Sequence, residues 1–116
     1  MENYILLLHE CATESKALSP DEIQAIIAKY KAWGQRLGEA GRMAGSNKLQ
    51  PGSGRIVSGK AGDMRISDGP FTETKDVIGG YFIVKAENYD EAVDLCRDCP
   101  HLEFGGSIEV RQIEVV

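Results

Sequence analysis

The fold is decided by the stretch Asn3-Tyr4-Ile5-Leu6-Leu7-Leu8-His9, a short and unbroken apolar run near the start of the chain. An unbroken run of this length is typical of a strand that is covered on both faces, whereas a strand with one solvated face alternates between apolar and polar residues. A second such run, Gly79-Gly80-Tyr81-Phe82-Ile83-Val84-Lys85, follows in the second half of the chain. We therefore predict two central strands.

A helix is predicted after each of these strands. Ser19 can cap the first helix, Pro20 suits its first position, and Glu22 can complete a capping box. Its end is expected near Gly41. Apolar residues at spacings of three and four predict one buried face, made of Ile23, Ile26, Ile27, Tyr30, Trp33 and Leu37. The second helix is predicted to open at residues 88–91, to bury Ala92, Val93, Leu95 and Cys96, and to stop at Pro100.

Shorter strands fill the remaining segments. Residues 42–66 contain short apolar segments between glycines, which predicts two or three strands joined by hairpin turns at residues 51–54 and 60–62. Residues 107–115 predict a last strand. Its apolar positions change face near Arg111-Gln112, and a β-bulge would explain that change.

The predicted order is strand, helix, two or more strands, helix and strand. It is compatible with a single α+β domain over residues 1–116, in which an antiparallel, ferredoxin-like sheet carries both helices on one face. Two helices cannot cover both faces of this sheet. We expect the other face to pack against a second copy of the chain, which makes a homodimer; coverage by long loops is the alternative.

Composition excludes several classes of protein. The chain has 116 residues, which suits one domain, and 13 basic against 18 acidic residues give a net charge of −5. This charge disfavours binding to nucleic acid or to an anionic membrane. No apolar run approaches the roughly 20 residues of a membrane span, and residues 1–4 lack the layout of a secretion signal. We expect a cytoplasmic protein.

Cysteine usage agrees with a reducing compartment, because the chain has three cysteines, an odd number and too few for a disulfide framework. Cys96 and Cys99, with His101 nearby, invite the hypothesis of a metal or redox site. Both cysteines fall in the last turns of the predicted helix, where the helix dipole disfavours a thiolate. Packing at the helix end is the favoured interpretation, and we predict no metal and no cofactor.

Three motifs together resemble the DGPF-motif branch of the YCII-related proteins. They are Asp68-Gly69-Pro70-Phe71-Thr72-Glu73-Thr74-Lys75, Gly79-Gly80-Tyr81-Phe82-Ile83 and Ile108-Glu109-Val110-Arg111. The resemblance spans nearly the whole chain, and it is specific only in combination. It implies a ferredoxin-like fold whose subunits pair sheet to sheet as a dimeric α/β barrel, with a cleft between sheet and loops.

The resemblance implies less about function. Most members are uncharacterised, and some YCII-like relatives are associated with dehydrochlorination of aromatic breakdown products through a His-Asp pair. DGPF-type proteins are also linked by association with alternative sigma factors. The histidine that YCII-like enzymes carry on their first helix falls near Tyr30 here, and the predicted first helix of this chain contains no histidine. Gln112 replaces the usual proline after the final-strand arginine.

The residues themselves suggest a possible site. His9 ends the first strand and can titrate near neutral pH, and Asp68 could act with it in proton transfer or simply fix its own turn. Arg111 suits a bidentate grip on a carboxylate, and Glu73, Lys75 and Glu109 could add polar groups or form ion pairs. The predicted catalytic pair is His9 and Asp68, and the predicted ligand-binding residues are Tyr30, Trp33, Phe71, Glu73, Tyr81 and Arg111.

Three functions are compatible with this set of residues. The leading hypothesis is binding of a small polar or carboxylate-bearing organic molecule without turnover, because a cleft is expected but the catalytic set is incomplete. The second is a proton-transfer or lyase enzyme that uses His9 and Asp68. The third is a regulatory protein that works with sigma-factor-dependent transcription, and it rests on the family association alone.

Overall fold

The computed structural model describes residues 1–11, 18–68 and 76–116, with the side chains of Cys11 and Asp76 excepted. Six strands and three helices are present in these residues. In chain order they are β1 (Glu2–Cys11), α1 (Pro20–Glu39), β2 (Met43–Lys48), β3 (Arg55–Ser58), β4 (Arg65–Asp68), β5 (Asp76–Ala86), α2 (Tyr89–Cys96), α3 (Pro100–Glu103) and β6 (Ser107–Gln112).

Four strands form the main sheet, in the order β2-β5-β1-β6, and every neighbouring pair is antiparallel. The two apolar runs become its central strands, β1 and β5, as predicted. The strands β3 and β4 pair only with each other in a separate two-stranded sheet within the described residues. The architecture is the predicted ferredoxin-like α+β fold, with the β3–β4 hairpin inserted in the sequence between β2 and β5.

One face of the main sheet, here called the helix side, forms a single core with the helices. Tyr4 and Leu6 of β1 and Val84 of β5 are at most 2 % exposed. They pack with Trp33 and Leu37 of α1 and with Ala92, Cys96 and Cys99 from the α2–α3 region. Burial of this apolar surface is the main stabilising term in folding. Both major helices therefore lie on one face, as expected.

The opposite face is not covered by any described residue of the chain, and we call it the uncovered face. Side chains alternate along a strand, so the residues between the buried ones point to this face. Ile5 and Leu7 of β1 and Ile83 of β5 are only half-buried there. The prediction that β1 and β5 are apolar on both faces is thus confirmed, while the covering of the second face stays a prediction.

The first helix begins as predicted but buries less than predicted. Ser19 Oγ accepts from the Glu22 amide and the Glu22 side chain accepts from the Ser19 amide, which is a complete capping box. The helix ends at Glu39, and Gly41 adopts a positive φ of 72°, which glycine tolerates best. Ile23 and Ile27 remain about two-fifths exposed. The predicted stripe is buried only where the helix crosses the sheet.

The second helix ends earlier than predicted. Asn88 caps it by accepting from the Glu91 amide at 2.9 Å, and Ala92 and Cys96 are buried as expected. The helix ends at Cys96, and Pro100 occupies the first turn of the separate helix α3. Proline suits this position because its missing amide hydrogen would have no partner there. Pro100 therefore starts a helix.

Two strand predictions need correction. The turn at residues 51–54 does not join a hairpin, because β2 pairs with β5 and β3 pairs with β4. The turn at residues 60–62 does join one. No register shift occurs in β6, which simply ends at Gln112 where the apolar parity changes. The bulges are elsewhere: Gly79 of β5 is the extra residue where the register with β1 shifts, and Ala44 of β2 is the extra residue where the register with β5 shifts.

No helix among the described residues is both long enough and apolar enough to span a membrane.

Candidate functional site

A histidine and a carboxylate meet on the uncovered face. His9 lies beside the bulge at Gly79 of β5, and Glu109 lies between the inward-facing Ile108 and Val110 of β6. The His9 Nε2 atom lies 2.9 Å from Glu109 Oε1. The His9 side chain is 23 % exposed and that of Glu109 is 45 % exposed. The pair, here called the His9–Glu109 cluster, places a half-buried imidazole against an accessible carboxylate.

Two further predicted residues share this face. Tyr81 of β5 accepts a hydrogen bond from Asn47 Nδ2 at 2.9 Å through its hydroxyl oxygen. Arg111 lies two residues beyond Glu109 on β6, which corresponds to about 7 Å along the strand. The structure thus brings His9, Tyr81 and Arg111 to one surface, together with Glu109. This surface holds a phenol, an imidazole, a carboxylate and a guanidinium.

Asp68 lies elsewhere in the described chain. It ends β4 in the separate hairpin, its side chain is 91 % exposed, and its carboxylate lies 3.4 Å from the Arg55 guanidinium. Among the described residues, the carboxylate that contacts His9 is that of Glu109. Sequence analysis named Glu109 only as an added polar group. The alternation of residues 107–111 indicates from the sequence which face of β6 carries Glu109. The register of β6 against β1, which sets Glu109 diagonally across from His9, cannot be read from the sequence. The catalytic roles of His9 and Asp68 stay predictions.

Phe71 and Glu73 lie outside the described residues. Cys11, which precedes the first undescribed segment, and Asp76, which follows the second, are partners in the sheet. They lie two residues beyond the pairing of His9 with Ile78.

Trp33 is a core residue on the helix side. It is 1 % exposed, and its ring meets Phe82 edge to face with centroids 4.8 Å apart. Its indole Nε1 donates to Asp98 Oδ1 at 3.1 Å. Buried tryptophans usually need such a partner for their one polar atom. These contacts tie α1 to the sheet, and a role of Trp33 in ligand binding stays a prediction.

Tyr30 contacts the second histidine of the chain. Its hydroxyl lies 3.0 Å from His101 Nδ1, and His101 Nε2 lies 2.7 Å from the backbone carbonyl oxygen of His9. Burial raises the pKa of the Tyr30 hydroxyl to about 12, with smaller contributions from Cys99 and Glu10. The hydroxyl is thus a proton donor throughout the neutral range. Sequence analysis grouped His101 with the cysteines, and nothing local to it predicted contacts with residues 71 and 92 positions away.

The two described cysteine thiols are buried and free. Burial raises the pKa of Cys96 to about 11, with smaller contributions from Cys99 and Asp98, and burial likewise raises the pKa of Cys99. A thiol held in its protonated form is a poor nucleophile and metal ligand. Residues 1–11, 18–68 and 76–116 contain no group of three or more potential ligands that could hold a metal ion. Helix-end packing explains this pair of cysteines.

A shallow groove lies on the helix side, between α2, α3 and β6. It has a volume of about 260 Å³, and its lining is mostly apolar: Val93, Cys96, Arg97, Leu102, Ile108 and Val110. None of the predicted site residues lines it. The groove is therefore a separate candidate for an apolar ligand.

The sequence model of the YCII-related domain matches residues 3–116. The chain belongs to the YCII-related family. An uncharacterized protein of Rhizobium meliloti (strain 1021) is 29 % identical to it over 112 residues, which cover 95 % of this chain and 90 % of that protein. The match concerns the YCII-related domain as a whole, so membership of the DGPF-motif branch stays a prediction.

Proposed function

We propose that this YCII-related protein binds a small, carboxylate-bearing organic molecule on the uncovered face of its sheet, beside the His9–Glu109 cluster. The observation that carries this proposal is the 2.9 Å contact between His9 and Glu109 on the same face as Arg111 and Tyr81. A mostly apolar surface with a few placed polar groups is what a small-molecule site requires. Here the apolar strip lies at the centre of the face, Glu109 and Arg111 lie on the edge strand β6, and Tyr81 lies on the other side of β1, on β5.

The ligand class follows from the charges. Arg111 offers a planar, permanently charged donor that matches a carboxylate in two parallel hydrogen bonds. Tyr81 offers a flat ring on the same face, across β1 from β6, and the His9 imidazole offers a polar edge. Glu109 would repel a second negative charge near His9, so a monocarboxylate is favoured over a dicarboxylate.

A second copy of the chain completes the site in this proposal. Ile5, Leu7 and Ile83 form an apolar strip on the uncovered face, and such a strip is stabilised when another sheet packs on it. Two uncovered faces that meet across a twofold axis make a dimeric α/β barrel and exclude water from the His9–Glu109 cluster. The ligand then lies at the edge of the dimer interface, in a cleft between sheet and loops.

Calorimetry with a panel of small acids tests the binding proposal. Aromatic and aliphatic monocarboxylates are titrated beside their neutral amides. We expect saturable binding of at least one acid and a loss of about tenfold or more in affinity for Arg111→Met, because a charge-assisted pair is removed. Arg97→Met is the matched control, since Arg97 is an exposed arginine of the helix side. Equal binding of acids and amides, or equal loss in both variants, contradicts the proposal.

Proton-transfer catalysis is a second candidate, favoured by the same contact. A carboxylate that accepts a hydrogen bond from an imidazole orients the ring and fixes its tautomer. His9 would take a proton from a carbon beside a C–Cl bond of the substrate; the electron pair of the broken C–H bond forms a C=C bond and chloride leaves, so HCl is lost without an oxidant or reductant. Chloride release from chlorinated hydroxy-aromatic compounds tests this. His9→Ala and Glu109→Gln should abolish it and leave the fold intact, and Asp68→Asn tests the predicted role of Asp68.

A further inference from the structure

The backbone of His9 is held from the helix side, although its side chain belongs to the uncovered face. His101 Nε2 lies 2.7 Å from the His9 carbonyl oxygen. His9 pairs with Ile78 next to the register shift between β1 and β5, where Gly79 of β5 is the extra residue and the ladder is interrupted. Because the bulge in β5 interrupts the ladder beside His9, a hydrogen bond to the His9 carbonyl oxygen helps to fix this part of the backbone and, through it, the direction of the imidazole.

The hydrogen bonds of His101 leave one arrangement of protons for its neutral ring. A carbonyl oxygen only accepts, so the His101 Nε2 atom must carry a hydrogen. The neutral ring then has its lone pair on Nδ1, and the Tyr30 hydroxyl at 3.0 Å must be the donor to that atom. The raised pKa of Tyr30 keeps this hydrogen in place at neutral pH. Tyr30 thereby selects the tautomer of His101 that can hold His9.

The residues around His101 restrict the position of its imidazole ring. His101 is 5 % exposed and is the one polar or charged residue buried in the described part of the chain. A side chain at Gly106 would place its Cβ 2.2 Å from His101 Nε2, so only glycine leaves room for the ring. Phe104 packs on Tyr30 with ring centroids 6.4 Å apart. Residues from α1, α3 and β1 therefore meet at one imidazole.

We propose that Tyr30 and His101 are positioning residues, which hold the His9 peptide so that the His9 side chain meets Glu109. The order of contacts runs from the Tyr30 hydroxyl to His101, from His101 to the His9 carbonyl oxygen, and from the His9 imidazole to Glu109. The functional importance of these contacts rests on the proposed function of the His9–Glu109 cluster. The positioning claim itself concerns only the unliganded chain.

Histidine side-chain NMR on the full-length protein tests it, since the chain has only two histidines. Glu109→Gln weakens the charge-assisted contact of His9 directly and defines the reference position of a released His9 signal. We expect Tyr30→Phe and His101→Asn to move the His9 ring signals towards that reference by at least half of the distance. His101→Gln should keep the wild-type signals, because its amide can still donate to the His9 carbonyl oxygen.

Lys29→Met is the matched control. It removes the 2.7 Å ion pair between Lys29 and Glu103, which also joins α1 to α3, without touching His101. If Tyr30 and His101 are only structural struts, their variants lower the melting temperature and leave the His9 signals at the wild-type positions. That result overturns the proposal, and so does an equal displacement in His101→Gln and His101→Asn.

The readout separates this inference from the proposed function. Displaced His9 signals in a protein that binds no acid would support the positioning role and remove the binding proposal. Unchanged His9 signals in a protein that binds acids through Arg111 would support the binding proposal and remove the positioning role.

Discussion

The two faces of the main sheet differ in how far the described chain buries their side chains. Along β1, Tyr4, Leu6 and Leu8 point to the helix side and are at most 7 % exposed. Ile5, Leu7 and His9 point the other way, and the described chain leaves them half-covered. The helix side is complete within one chain and carries its stability, whereas the uncovered face is available for polar groups and a partner. In the proposed function, one strand therefore serves both packing and ligand binding, at alternate residues.

Removal of the largest core side chain should show the strongest effect of the helix side. Trp33→Ala deletes a ring that is 1 % exposed and a hydrogen bond to Asp98. We expect a loss of about 3–5 kcal/mol in the free energy of unfolding, measured in urea. Tyr81→Ala on the uncovered face is the comparison and should cost much less. Equal losses at the two positions would show that the faces do not differ in this way.

Thiol reactivity should reveal the dry helix side. With a pKa of about 11, Cys96 carries about one-hundredth of the thiolate at pH 8 that a thiol with its ordinary pKa carries. We expect iodoacetamide to label Cys96 about 100-fold more slowly in the native protein than in urea, with the site identified by mass spectrometry. Fast native labelling of Cys96 would mean that the helix side opens to solvent.

A charge on the uncovered face should affect association before it affects folding. Ile83 lies opposite Ile5 in the register of β5 and β1. In the proposed dimer, Ile83→Lys buries a charge at the centre of the interface, and we expect the dissociation constant to rise by about tenfold or more. Ile23→Lys on exposed α1 is the control. Sedimentation of the wild-type chain as a monomer at all concentrations would refute the dimer itself.

Alkaline pH should weaken the helix side by a smaller amount. Burial raises the pKa of Cys96, Cys99 and Tyr30 in the folded protein, so the folded state retains these protons at pH values where the unfolded chain loses them. Stability therefore falls as pH rises from about 9, with the Tyr30 contribution between about 10 and 12. Urea unfolding at pH 7, 9 and 10.5 measures this fall. Tyr30→Phe should have a shallower decline above pH 10, and a stability that rises with pH would contradict the burial argument.

Local signals predicted much of the fold. The apolar runs of β1 and β5, the capping box at Ser19 and the glycine after α1 are all written in neighbouring residues, and each was confirmed. The hairpin of β3 and β4 was harder to place, because Val57 and Ile66 are apolar yet about 60 % exposed. Their apolar side chains are typical of buried strands, and only the tertiary structure shows that these residues lie apart from the core.

The candidate site was predicted only in part. His9, Tyr81 and Arg111 share a face because strand alternation places them there, and that rule can be applied to a sequence. The contacts of His9 with Glu109 and of Tyr30 with His101 join residues 100 and 71 positions apart. They depend on the register of β6 and on the position of α3, and neither follows from local sequence pattern.

An NMR titration of the ¹⁵N-labelled protein with the tightest-binding monocarboxylate tests the central claim most directly. We predict that the largest chemical-shift changes fall on the uncovered face, at His9, Tyr81, Glu109 and Arg111, while residues of the groove between α2, α3 and β6 stay unchanged. Changes concentrated at Val93, Leu102 and Ile108, with none at Arg111, would place the site on the helix side and contradict the account.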